Sequence, residues 1–169
     1  LVAPATSFAA ACDKPADPAG EWSSYGHDLS NSRSQPAEHV IGTANAASLS
    51  KAFAFKAPGV VQGTPIVDGG CVFVFSQNTT KAAYAELAAL DAKTGAPLWN
   101  TSVQVGQGAF GGTAVGSPAL WGDLVIVPMS KEGAPFVAAF DRHTGAERWR
   151  TTADEQPKEG FNASPVVYD

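Results

Sequence analysis

Short apolar runs alternate with turn-forming residues along most of the chain. Val72-Phe-Val-Phe75 and Leu124-Val-Ile-Val127 are β-branched or aromatic, and each follows a Gly-containing turn. That is the pattern of strands. Segments 62–67, 71–76, 85–91 and 97–103 read as four strands, and 114–120, 123–128, 135–141 and 147–152 as four more.

The two sets are copies of one unit. Ala89-Leu-Asp-Ala-Lys-Thr-Gly-Ala-Pro-Leu-Trp99 returns as Ala139-Phe-Asp-Arg-His-Thr-Gly-Ala-Glu-Arg-Trp149, a displacement of 50 residues. Ala89, Asp91, Thr94, Gly95 and Trp99 match Ala139, Asp141, Thr144, Gly145 and Trp149. A second marker precedes each copy: Gly63-Thr-Pro65, then Gly116-Ser-Pro118, and a third time Ala163-Ser-Pro165. Four antiparallel strands in each repeat of about 40–50 residues is the arithmetic of a β-propeller blade. The expected fold is all-β. In that register Ala52-Phe-Ala-Phe-Lys56 stands where a fourth strand should be, and 162–168 where a first strand should be. The expected division is an N-terminal arm at 1–21, an opening segment with a ring-closing outer strand at 22–57, blades at 58–103 and 104–152, and the start of a third at 153–169. Two blades cannot close a ring of four to eight, so further blades are expected after Asp169 or from other chains.

Composition agrees. Gly 17 and Pro 12 in 169 residues oppose long helices and supply turns. A net charge of −5 lacks the basic face that a nucleic-acid partner requires. The uncharged residues 1–11 are too short to span a bilayer, which takes about 20 apolar residues. They read as a signal remnant or the start of an exported protein, placing the chain in a periplasmic or extracellular space. Cys12 and Cys71 are open to three readings: a disulfide, two free thiols, or lipidation of Cys12 after Ala9-Ala10-Ala11. Asn78, Asn100 and Asn162 head Asn-x-Ser/Thr sequons and are candidate glycosylation sites.

Other motifs weigh toward structure. Gly106-Gln-Gly-Ala-Phe-Gly111 has G-x-G-x-x-G spacing, but no helical period follows, and it reads as an inter-blade loop. Asp91 and Asp141 sit in identical turns and are expected to accept their own turns' N–H groups. His27, His39 and His143 have no ligand spacing, and His143 is expected to face solvent. Trp22 and Tyr25 are expected to pack on the barrel rim, and Arg33 to pair with a carboxylate.

Asp-x-x-Thr-Gly-x-x-x-Trp after Ala resembles the tryptophan-docking motif of the pyrroloquinoline-quinone (PQQ) propellers. Trp22-Ser-Ser-Tyr-Gly-His-Asp-Leu-Ser-Asn-Ser-Arg-Ser-Gln-Pro36 is similar to the opening of quinoprotein alcohol dehydrogenases, nearest the polyvinyl-alcohol dehydrogenase branch. The resemblance covers residue 20 onward. It implies an eight-bladed ring in which Trp99 and Trp149 stack on Gly-turn peptides of neighbouring blades. It implies PQQ with calcium on the axis, touched from this chain by Gln62 and Thr64, and a small alcohol or a polymer as substrate. The sequence departs from the methanol-type pattern. Gln62 stands where a Glu is common, Ala109-Phe110 replaces a vicinal Cys pair, and Val115 replaces an Arg. The catalytic groups would lie outside this chain. Two functions follow: an exported PQQ-dependent alcohol dehydrogenase, or a non-catalytic scaffold like the outer-membrane-assembly lipoproteins.

Overall fold

The computed structural model describes residues 12–14, 17–81, 83–105, 116–129, 135–152 and 163–168. Its strands are β1 (Ile66–Asp68), β2 (Cys71–Gln77), β3 (Tyr84–Asp91), β4 (Pro97–Gln104), β5 (Ala119–Trp121), β6 (Leu124–Met129), β7 (Phe136–Asp141) and β8 (Glu147–Thr152). They form two four-stranded sheets, ordered β1-β2-β3-β4 and β5-β6-β7-β8, and every pair is antiparallel. Each sheet is one repeat, and the pair has the topology of two neighbouring propeller blades.

The copies agree in detail. Ala89 pairs with Trp99 and the register then slips, so that Leu90 faces Pro97. Ala139 pairs with Trp149, and Phe140 then faces Glu147. The Asp-x-x-Thr-Gly turn lies inside each slip. Gly95 and Gly145 both have φ of +71°, a left-handed conformation that a Cβ penalises.

Alternation along the strands decides what each face meets. Phe73, Phe75, Leu87 and Ala89 of the first sheet and Val125, Val127, Met129, Ala138 and Phe140 of the second form one buried cluster between the sheets. Full burial of a Phe contributes about 1.5–3 kcal/mol, so this layer is the main bond between the blades. The opposite face of the first sheet carries Val74, Ala88 and Leu90, covered in part by Phe55.

Three expectations about strands are corrected. The first strands of each repeat are shorter than 62–67 and 114–120, beginning at Ile66 and Ala119. Pro65 and Pro118 have no N–H to give a ladder, and the N–H groups of Thr64 and Ser117 are directed to a neighbouring repeat. Residues 52–56 form no strand, and neither do 163–168; among the described residues no sheet edge pairs with either. Phe53 nonetheless lies against Gly95, its ring filling the space where a Cβ would stand.

At the end of the sheets opposite the β2–β3 loop, Cys12 is joined to Cys71 in a disulfide, so the free-thiol and lipidation readings do not hold. The arm continues through Lys14, whose ammonium reaches the Asp91 carboxylate at 3.1 Å. His143 is not a solvent-facing residue: its ring is mostly buried, with Nε2 3.6 Å from Asp13 and 3.5 Å from Asp123. No helix among the described residues is long and apolar enough to cross a membrane.

Candidate functional site

The three Gly/Ala-x-Pro markers lie side by side. Thr64 N–H donates to Ser117 Oγ at 2.8 Å, and Ser117 N–H donates to Ser164 Oγ at 2.9 Å. The same hydrogen bond therefore steps from one repeat to the next. Glycine permits the approach. A Cβ on Gly63 would stand 2.5 Å from the Gly116 carbonyl oxygen, and one on Gly116 would stand 2.8 Å from that of Ala163.

A groove of ≈ 880 Å³ runs along this row. One wall is Gln62, Gly63, Ser117, Leu120 and Ser164; the other is the opening segment through Ser24, Tyr25, His27 and Asp28. That segment is anchored by Trp22, which exchanges both backbone hydrogen bonds with Val67 at 2.8 and 2.9 Å. It then coils tightly. His27, Asn31 and Arg33 are non-glycine residues at φ of 80°, 52° and 52°, a concentration of strained backbone of the kind found at ligand sites. Trp22 meets the His27 ring edge-on at 5.1 Å. Trp22 Nε1 and His27 Nδ1 are buried without hydrogen-bond partners among the described residues. The Ser32 hydroxyl and N–H donate to Asp28 and lower its pKa. Among the described residues Arg33 takes no carboxylate; it donates to Tyr25 Oη at 3.0 Å and lies over that ring.

The two residues expected to touch a cofactor are separated. Gln62 is exposed and lines the groove. Thr64 lines a second cavity of ≈ 430 Å³ with Glu21, Trp22 and Pro65. Among the described residues the groove holds one charged group, Asp28, and no Lys or Arg. Its remaining polar groups are hydroxyls, amides and an imidazole, which suit a neutral, hydroxyl-bearing ligand. They do not suit the acid groups of a quinone tricarboxylate, so no step through PQQ is derived from this chain. No cluster of His, Cys, Asp or Glu among the described residues is fit to hold a metal ion.

The repeat turns are structural. Asp91 Oδ1 accepts from Thr94 N–H, Thr94 Oγ1 and Lys93 N–H. The Lys14 ammonium and these donors hold its pKa at about 2. Asp141 has the same set. Burial raises its pKa, but Arg148 and the Thr144 donors outweigh that and bring it to about 2. Trp99 lies against Gly145 and donates from Nε1 to the Arg142 carbonyl at 2.9 Å, while Thr101 Oγ1 donates to the Gly145 carbonyl at 2.7 Å. Trp149 stays 41% exposed. Of the sequons, Asn78 is buried and gives its amide to Glu86, which does not suit a glycan acceptor; Asn100 is exposed. Asn162 and the Gly106–Gly111 motif lie outside the described residues.

With this geometry in place, comparison with known proteins is decisive on family. The PQQ-like repeat family described as outer membrane protein assembly factor BamB matches residues 39–168. The chain belongs to this PQQ-like repeat family. Two curated relatives are both called polyvinylalcohol dehydrogenase. One, from a Pseudomonas species, is 29% identical over 88% of this chain and 22% of its own length. The other, from Sphingopyxis sp. (strain 113P3), is 27% identical over 89% and 22%. The chain thus spans about a fifth of each. Among solved structures, BamB from Moraxella catarrhalis is similar with a TM-score of 0.47 and 26% identity, over 62% of this chain and 28% of its own. Quinohemoprotein alcohol dehydrogenase from Comamonas testosteroni gives 0.47 and 20%, over 86% and 30%. As a PQQ-like repeat protein, the chain has its inner-row serines and the Trp22–His27–Asp28 wall in places that composition does not indicate. Only the thrice-repeated Gly/Ala-x-Pro marker signals the row.

Proposed function

We propose that the chain is the N-terminal part of an exported quinoprotein-type propeller oxidoreductase acting on alcohols. One observation carries this reading. A match over 88% of the chain necessarily takes in the opening segment 22–36, which walls the groove. The BamB-type match begins at residue 39 and leaves that segment out. The match to the two relatives called polyvinylalcohol dehydrogenase spans the segment that walls the candidate site.

In this reading the remaining blades complete a ring of about eight and supply the groups that hold PQQ and calcium. This chain contributes a wall without cations among its described residues: Gln62 and Ser24 orient a hydroxylated substrate at the groove, and the inner row keeps the blades in register. The contact of Trp99 with Gly145 is the tryptophan docking of blade on blade. The disulfide supports an oxidising, extracytoplasmic location. The lack of a cation among the described residues of the groove favours a second reading, a non-catalytic scaffold.

Full-length protein loaded with PQQ and calcium should reduce an artificial electron acceptor when given a small alcohol or polyvinyl alcohol. Absence of both quinone binding and turnover at saturating cofactor would overturn the enzyme reading and leave the scaffold.

A further inference from the structure

The first sheet presents its other face, away from the second blade, to residues 53–58. Among the described residues one carboxylate lies on this surface. Glu86 is 7% exposed. Its Oε1 is saturated, accepting from Asn78 Nδ2 at 2.9 Å and from Ser102 Oγ at 2.6 Å. Its Oε2 is buried with no hydrogen-bond partner among the described residues. Beside it is a cavity of ≈ 430 Å³ lined by Phe55, Pro58, Glu86, Ala88, Pro97 and Asn100, with the exposed Lys56 at its edge. Lys56 makes no ion pair with Glu86 in this structure.

A carboxylate withdrawn from water costs several kcal/mol unless a charge or further donors meet it. Two donors converge on one oxygen and fix the side chain, and Glu86 lines the cavity with its second oxygen buried and unpaired. The surroundings, aromatic and prolyl with one amide, match the flat apolar faces and forked donors of a guanidinium, and also admit an ammonium. We propose that this cavity is a socket for an Arg or Lys side chain presented by an adjoining blade, with Glu86 as its counter-ion. The proposal rests on the reading that further blades complete the ring. Charge complementarity selects the occupant: the covering surface is apolar and carries one cation in register with Glu86.

The sign of one substitution tests it in the full-length protein. Glu86→Gln keeps an acceptor for Asn78 and Ser102 and removes only the charge. With a cation in the socket, E86Q lowers Tm by roughly 2–4 °C, because a buried cation is left unpaired. With no cation, E86Q leaves Tm unchanged or raises it, since an unpaired buried charge has been relieved; that result overturns the proposal. Lys56→Met is expected to leave Tm unchanged. A fall equal to that of E86Q, with no further loss in the double variant, would make Lys56 the partner and overturn it too. A structure of the full-length protein separates the two readings. A blade on this face without an Arg or Lys within about 4 Å of Glu86 removes the socket alone. No blade there removes the ring as well.

Discussion

Gly145→Ala measures how tightly the two blades are docked. Gly145 has φ of +71°, and an added methyl would stand 2.5 Å from Trp99 Cε3 and 2.6 Å from Thr101 Oγ1. Left-handed backbone costs an L-residue about 1–2 kcal/mol. The indole must also move, straining the packing by about 1–3 kcal/mol. Its Nε1–H then loses the Arg142 carbonyl, worth about 1 kcal/mol. The sum is about 3–6 kcal/mol. Gly122 is the control. Its φ is +54°, and an added methyl would meet nothing within 4 Å, so Gly122→Ala should cost only the backbone share, about 1–2 kcal/mol. Equilibrium urea unfolding of the two full-length variants checks this. The G145A midpoint should fall at least twice as far. Equal losses would show that the Trp99–Gly145 contact contributes nothing, and the account of blade docking would be wrong.

Two further outcomes follow from the structure. Ser117→Ala removes the acceptor of the Thr64 N–H, leaving a part-buried donor unpaired; unfolding should be easier by about 1–3 kcal/mol, and Ser117→Thr, which restores the hydroxyl, should recover part of it. Acid should destabilise the protein through the repeat turns. Asp91 and Asp141 have folded pKa values of about 2 against an ordinary 3.8. Their stabilisation is complete above pH 4–5, up to about 2 kcal/mol each, and is lost as pH falls toward 2. Replacing both by Asn should flatten Tm across that window, and an unchanged acid limb would refute the assignment.

Much of the fold was legible because the blade is a local object. Strand periodicity, Gly-turns and Trp99 and Trp149 at one offset are set within 50 residues, and the second, third and fourth strands of each sheet obey them to within a residue, while the first strands start later. The failures share a cause. Residues 52–56 have strand composition and no strand, because a strand exists only with a partner edge. Thr64 and Gln62 are two residues apart in the chain, yet they line different cavities, because the backbone between them is not a regular strand and the chain turns away from the groove before β1 begins. His143 reads as a turn residue but is covered by Asp13, from an arm 130 residues earlier.

The chain's own amino acids determined the all-β class, the number of strands per repeat, their order and the turn geometry, since all of these depend on local backbone preference and burial pattern. Tertiary structure alone decided that Ser117 and Ser164 extend a hydrogen-bonded row, that the opening segment walls a groove, and that Glu86 lines a cavity with one oxygen buried and unpaired. Those features depend on which surfaces meet, and of the row's contacts across 47 to 53 residues the chain carries only the repeated Gly/Ala-x-Pro marker.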